Sequence, residues 1–161
     1  MARQRIKTVK ESHVEMTELV LPNDTNRLGN MLGGRLMHLM DIAGAIAATR
    51  HTNRVCVTAS VDELHFLHPL RQGEIVILQA SVNRVFRTSM EVGIKVTLED
   101  PLKGVRKHAN SAYFTFVALD EDGTPVHAEP VQPVSKEEKR RFADAARRRQ
   151  LRLQHRKQSS S

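Results

Sequence analysis

The chain has no tryptophan, one tyrosine and one cysteine among its 161 residues. A lone Cys56 excludes an internal disulfide and any cysteine-rich metal site, and it suits a reducing, cytoplasmic setting. Scarce aromatics leave little with which to stack nucleobases. The longest apolar run, Leu36 to Ala48, is interrupted by His38 and Asp41, too short and too polar to cross a bilayer. The first residues lack the apolar stretch of a secretory signal. Acidic residues are in the minority, 18 against 25 Lys and Arg, and the surplus of +7 has a definite place. Residues 136 to 161 hold ten Lys or Arg and three acids; the rest of the chain is balanced. A basic stripe over a folded body is therefore missing, and nucleic acid is not expected as the main partner.

What is present suits one globular domain. Residues 1–12 are charged and expected to be mobile, and Val14 to Leu21 reads as a strand stopped by Pro22. A polar turn, Asn23 to Asn30, then leads through Gly33-Gly34 into a helix expected to be apolar on every side, and so enclosed by other elements. From Val55 to Asp62 the residues alternate with the two-residue period of a half-buried strand. Glu74–Phe86, Met90–Leu98 and His108–Leu119 read as further long strands, with Arg87-Thr88-Ser89 and Asp100–Gly104 as connections. Short connections make these strands antiparallel neighbours. The expected class is α+β: one curved antiparallel sheet of about five strands round one long central helix, the hotdog arrangement, over residues 13–134. Residues 135–161 are expected to form a charged helix and tail, largely solvated.

The helix carries one carboxylate, Asp41, in its middle. Burying a carboxylate without partners is costly, so the residue is either hydrogen-bonded structurally or kept for chemistry. Free amides near Gly33 and Gly34, at the positive end of the helix, suit a developing oxyanion. Asp41 lies seven residues beyond Gly34, about 10 Å along the axis. Asn30, which precedes the helix, therefore meets Asp41 at one small group only across two chains, and this reading requires a dimer. His38 lies three residues before Asp41, but two ligands without a third make no metal site. His65 and His68 read as ordinary polar positions, and no Gly-x-Ser-x-Gly elbow is present.

Asn30-Met31-Leu32-Gly33-Gly34, Met37-His38-Leu39-Met40-Asp41, Ala47-Ala48-Thr49-Arg50-His51 and Val57-Thr58-Ala59-Ser60-Val61-Asp62 together resemble the hotdog-fold acyl-CoA thioesterases of the cytosolic, brain-type acyl-CoA hydrolase group. The similarity runs from about His13 to Gln154. It implies hydrolysis of acyl-CoA to a fatty acid and coenzyme A without metal or cofactor, at sites shared between two subunits of a homodimer, commonly in a trimer of dimers. Asp41 is implied as general base or nucleophile, Asn30 as the contribution of the other subunit, and Arg87, Thr88 and Ser89 as contacts to CoA. Many relatives have His directly before the Gly-Gly pair, where this chain has Leu32. The alternative is a hotdog protein that binds acyl-CoA without hydrolysing it, as sensor or carrier.

Overall fold

The computed structural model describes residues 5–160; residues 1–4 of the N-terminus expected to be mobile, and Ser161 of the tail, lie outside them. Strands β2 (Val14–Leu19), β3 (Val55–Val61), β4 (Ile75–Val85), β5 (Ser89–Asp100) and β6 (Val105–Leu119) form one antiparallel sheet in the order β2-β4-β5-β6-β3. The sheet curls round the helix α2 (Gly33–Thr52), as the alternation and the short connections imply. Two further pieces, β1 (Lys7–Thr8) and β7 (Val131–Gln132), pair in parallel beside it. The helix α3 (Lys136–Ser159) ends the fold.

The core lies between α2 and the concave face of the sheet, where Leu36, Leu39, Met40, Ala43 and Ala47 meet Leu78, Met90, Ile94, Phe114 and Phe116. Gly44 marks the closest approach: a Cβ there would stand 2.8 Å from the Phe116 ring, which explains glycine in mid-helix despite its entropic cost.

Four expectations need correction. Residues 7–12, expected to be mobile, belong to the fold. The short helix α1 (Val9–Ser12) buries Ser12, whose hydroxyl donates to the Val9 carbonyl (2.7 Å) and accepts from the Val82 amide (2.9 Å). Lys7 Nζ donates to the Arg50 carbonyl (2.8 Å), one of the last of α2, and to the Asn53 side-chain Oδ1, where Asn53 turns into the left-handed region. Second, α2 does have an open side in the single chain, at Met37, His38 and Ile42. Third, β3 is an edge strand whose valines alternate to the outer face and are uncovered there, with Val55 69% exposed and Val57 42%. Its inward side holds Cys56 and Thr58 instead. Fourth, α3 is docked. Its arginines lie over aromatic rings, Arg148 on Tyr113 at 3.7 Å and Arg149 on Phe86 at 4.5 Å, while Phe142 lies under Arg84 of β4 at 3.9 Å.

His51, near the end of α2, gives a pH test. Its Nε2–H donates to the Glu129 carbonyl at 2.7 Å, and its buried Nδ1 has no partner among the described residues. Burial, together with the charge of Lys7, holds its pKa below the ordinary 6.5, outweighing the Glu129 carbonyl and the charges of Glu11 and Glu129. The unfolded chain therefore takes up a proton near pH 6.5 before the folded one does. Stability is expected to fall as pH drops below 6.5, by at most about 1.4 kcal/mol per pH unit for one proton. Melting temperatures between pH 7.5 and 5.5 check this, and His51→Gln should flatten that part of the profile; an unchanged slope would refute the assignment.

Candidate active site

The approach to α2 is held by Asp24, which is nearly fully buried. Its carboxylate accepts from the Leu21 amide (3.0 Å) and from Arg35 Nε (3.1 Å), and its carbonyl accepts from the Leu32 amide (2.9 Å). The turn between them closes on Asn26. Its amide donates to the Asn30 carbonyl (2.8 Å), and its side-chain Oδ1 accepts from the Leu28 and Asn30 amides (2.9 and 3.2 Å). Gly29 completes the turn at φ +77°, which favours glycine. With Oδ1 engaged twice, the Asn26 carboxamide is fixed and its Nδ2 has no acceptor among the described residues. The side chain of Asn30 has no hydrogen bond among them either; its backbone pairs with Arg71 in an isolated bridge.

Helix α2 then begins without a side-chain cap, because Leu32 at the N-cap has none to offer. The first in-chain bonds are the Arg35 and Leu36 amides to the Leu32 carbonyl. The amides of Gly33 and Gly34 are thus unengaged among the described residues, as helix geometry requires of a first turn. The Phe66 ring lies 3.3 Å from where a Cβ on Gly33 would stand, while Gly34 faces open space.

Two turns on, Asp41 is half buried, and Thr58 Oγ1 on β3 donates to its Oδ1 at 2.5 Å. Thr58 is thus brought to Asp41 by the fold, with no motif of its own in the sequence. Its only signal there was a place on the polar side of β3, opposite the valines. No hydrogen bond joins Asp41 to Asn30, Gly33 or Gly34 among the described residues. Within one chain the acid and the helix amides stay roughly 10 Å apart.

Arg87, Thr88 and Ser89 form the β4–β5 turn, closed by the Phe86 amide on the Ser89 carbonyl (2.8 Å). Thr88 and Ser89 line an open cleft of about 930 Å³ between the end of β3, this turn and α3; Arg87 is not among the residues that line it. Arg149 Nη1 donates to Ser89 Oγ at 3.2 Å, and Arg156 lines the same cleft with no ion-pair partner among the described residues. Arg152 is held by Asp62 (2.9 Å) and by Glu91 (3.1 Å). Burial pushes the Asp62 carboxyl above its ordinary value, against the pull of Arg152. No three His, Cys, Asp or Glu side chains converge among the described residues. No helix among them is long and apolar enough to cross a membrane.

Residues 28–105 match the family model of the thioesterase superfamily. An uncharacterized acyl-CoA thioester hydrolase of Bacillus subtilis is 43% identical over 129 residues, 80% of this chain and 75% of that protein. Mouse acyl-coenzyme A thioesterase 11 is 40% identical over 142 residues, 88% of this chain but only 24% of that longer protein. Among solved structures, the acyl-CoA hydrolase of Bacillus cereus superposes with a TM-score of 0.92 at 37% identity, covering 97% of this chain and 95% of that one. The acyl-CoA hydrolase of Staphylococcus aureus, solved with butyryl coenzyme A, coenzyme A and coenzyme A disulfide, gives 0.91 at 35% identity, with the same coverage. Structures of the S. aureus enzyme also exist for variants in which one Asp, one Asn and one Thr are each replaced by Ala. A hexameric acyl-CoA thioesterase gives 0.90 at 36% identity, covering 94% of this chain and 97% of that one. The helix carboxylate, the uncapped glycine amides and the curled sheet thus occur here in a chain that belongs to the thioesterase superfamily, among its acyl-CoA thioester hydrolases.

Proposed function

We propose that this chain hydrolyses acyl-CoA to a fatty acid and coenzyme A at sites formed between two copies, with Asp41 of one copy facing the helix N-terminus of the other. The observation that carries the reading is the placement of Asp41. Its carboxylate is fixed by Thr58 beside an unpaired sheet edge, and the amides that could receive an oxyanion lie too far along its own helix. The exposed valines of β3 and the open side of α2 offer the surface on which a second copy would pair. Hexameric relatives support a trimer of such dimers.

In this reading Asp41 Oδ2, the oxygen left free by Thr58, takes a proton from a water that attacks the thioester carbonyl carbon. The negative charge that develops on the carbonyl oxygen is received by the Gly33 and Gly34 amides at the positive end of α2. The C–S bond breaks and the coenzyme A thiolate leaves, to be protonated by solvent. Phosphates of CoA fit the cleft lined by Thr88 and Ser89, where Arg149 and Arg156 supply forked donors. Arg87, expected to share this role, lies outside the cleft lining.

The asparagine of the site is better assigned to Asn26 than to Asn30. In the S. aureus enzyme the replaced Asn stands fifteen residues before the replaced Asp, and the replaced Thr seventeen after it. Asn26, Asp41 and Thr58 have that spacing here. The held Asn26 carboxamide, with Nδ2 free, also suits a donor better than the unheld Asn30 side chain. Free-thiol release from acetyl- to palmitoyl-CoA tests both points. Asn26→Ala is expected to lower turnover by about 10²–10³-fold, the worth of one oxyanion donor, and Asn30→Ala by less than tenfold. The reverse order would return the role to Asn30. Absence of turnover on every acyl-CoA, with binding retained, would instead establish the sensor or carrier.

A further inference from the structure

The stretch from Asp62 to Leu70, which follows β3, has no regular secondary structure, yet it is pinned along its length. The Asp62 amide donates to the Tyr113 carbonyl (3.0 Å), and Leu64 packs against the core. The His65 carbonyl accepts from Asn110 Nδ2 (2.8 Å), and the Leu70 carbonyl accepts from the Met31 amide (2.6 Å), just before α2.

Phe66, directly after the pinned His65, is 48% exposed, so core burial does not account for its place. Its ring lies on the first turn of α2, with Cε2 and Cζ 3.3 Å from where a Cβ on Gly33 would stand. Gly33 is not among the glycines with positive φ; what it supplies is room for this ring. Gly34 beside it meets nothing within 4 Å. The two amides proposed to receive the oxyanion therefore have an aromatic wall on one side and open space on the other. Leu32, exposed at the N-cap, extends the apolar surface.

This wall bears on the proposed hydrolysis, on which the inference rests. An oxyanion about 3 Å from the amides puts the first acyl carbon, two bonds from that oxygen, beside the same turn. A methylene there packs on the ring, whereas an added methyl group has to displace a side chain whose backbone is pinned on both sides. We infer that Phe66 is a specificity-determining residue of the site, its ring touching the acyl carbon next to the thioester carbonyl and selecting unbranched over 2-branched acyl groups.

The test compares the straight-chain acyl-CoA, from butyryl to palmitoyl, that the parent protein hydrolyses fastest with its 2-methyl counterpart. The parent should prefer the straight chain in kcat/KM by about tenfold or more, the usual worth of one methyl group in a pocket. Phe66→Ala should bring that ratio within about threefold, chiefly by raising kcat/KM on the branched thioester, and Phe66→Leu should keep an intermediate ratio. A merely structural role would lower both substrates alike and leave the ratio unmoved, and that result, in a parent that turns over, overturns the inference alone. A parent that hydrolyses no acyl-CoA overturns the proposed function and this inference with it.

Discussion

Asp41→Ala is expected to lower acyl-CoA hydrolysis by about 10²–10⁴-fold, the range of a positioned general base. That corresponds to about 3–5 kcal/mol of transition-state stabilisation. The fold should survive, because the half-buried carboxylate has a single hydrogen-bond partner among the described residues, the Thr58 hydroxyl, which can turn to water once the acid is gone. Asp41→Asn sharpens the test. The carboxamide keeps the shape and can still accept from Thr58, yet it cannot take a proton from water, so it should lose nearly as much as alanine. Thr58→Ala removes the hydrogen bond that fixes the acid and should cost about tenfold, the worth of one net hydrogen bond. Thiol release, with melting temperature and oligomeric state measured in parallel, checks all three. Retention of more than a tenth of the activity by Asp41→Asn in a folded protein would remove Asp41 from the role of base.

The sequence makes α2 legible because one long apolar segment follows a glycine pair, and it makes β4, β5 and β6 legible because alternation and short turns leave few topologies. Asp41 stands out for the same reason, as a charge with no apolar justification. What escaped depends on partners distant in sequence. Thr58 is an ordinary polar residue of an alternating strand until the fold brings it to Asp41. Asn26 and Asn30 are four apart in one polar turn, and only the bonds onto Asn26 Oδ1 show which carboxamide is held. The charges of residues 5–12 suggest mobility, yet Val9 and Ser12 are buried and Lys7 meets the end of α2. The helix α3 misleads most, because arginines that lie on aromatic rings and fork onto acids leave no apolar stripe to read.

Glu91 is where that helix is fastened, and Glu91→Ala is expected to destabilise the protein by about 3–5 kcal/mol, the cost of breaking a buried ion pair. For a chain of this size the melting temperature should fall by roughly 6–20 °C. Glu91 is fully buried on the outer side of β5. It accepts from Arg148 Nη2 at 2.8 Å, from Arg152 Nη1 at 3.1 Å and from Asn83 Nδ2 at 3.0 Å. Burial works against the charge of Arg148, but the hydrogen bond and charge of Glu91 outweigh it and raise its pKa. Without Glu91, Arg152 retains Asp62, while Arg148 keeps the Tyr113 ring but loses its ion-pair partner among the described residues, so the cost falls on a partly buried guanidinium. Helix α3 should then loosen from the sheet, and its arginines should become substrates for trypsin. Limited digestion should therefore release a C-terminal fragment from the variant at enzyme levels that leave the parent intact. Replacing both partners, as Glu91→Leu with Arg148→Leu, should recover part of the loss, since no unpaired charge remains. A Glu91→Ala protein that melts within about 2 °C of the parent and resists trypsin equally would show that the aromatic contacts alone hold α3 in place.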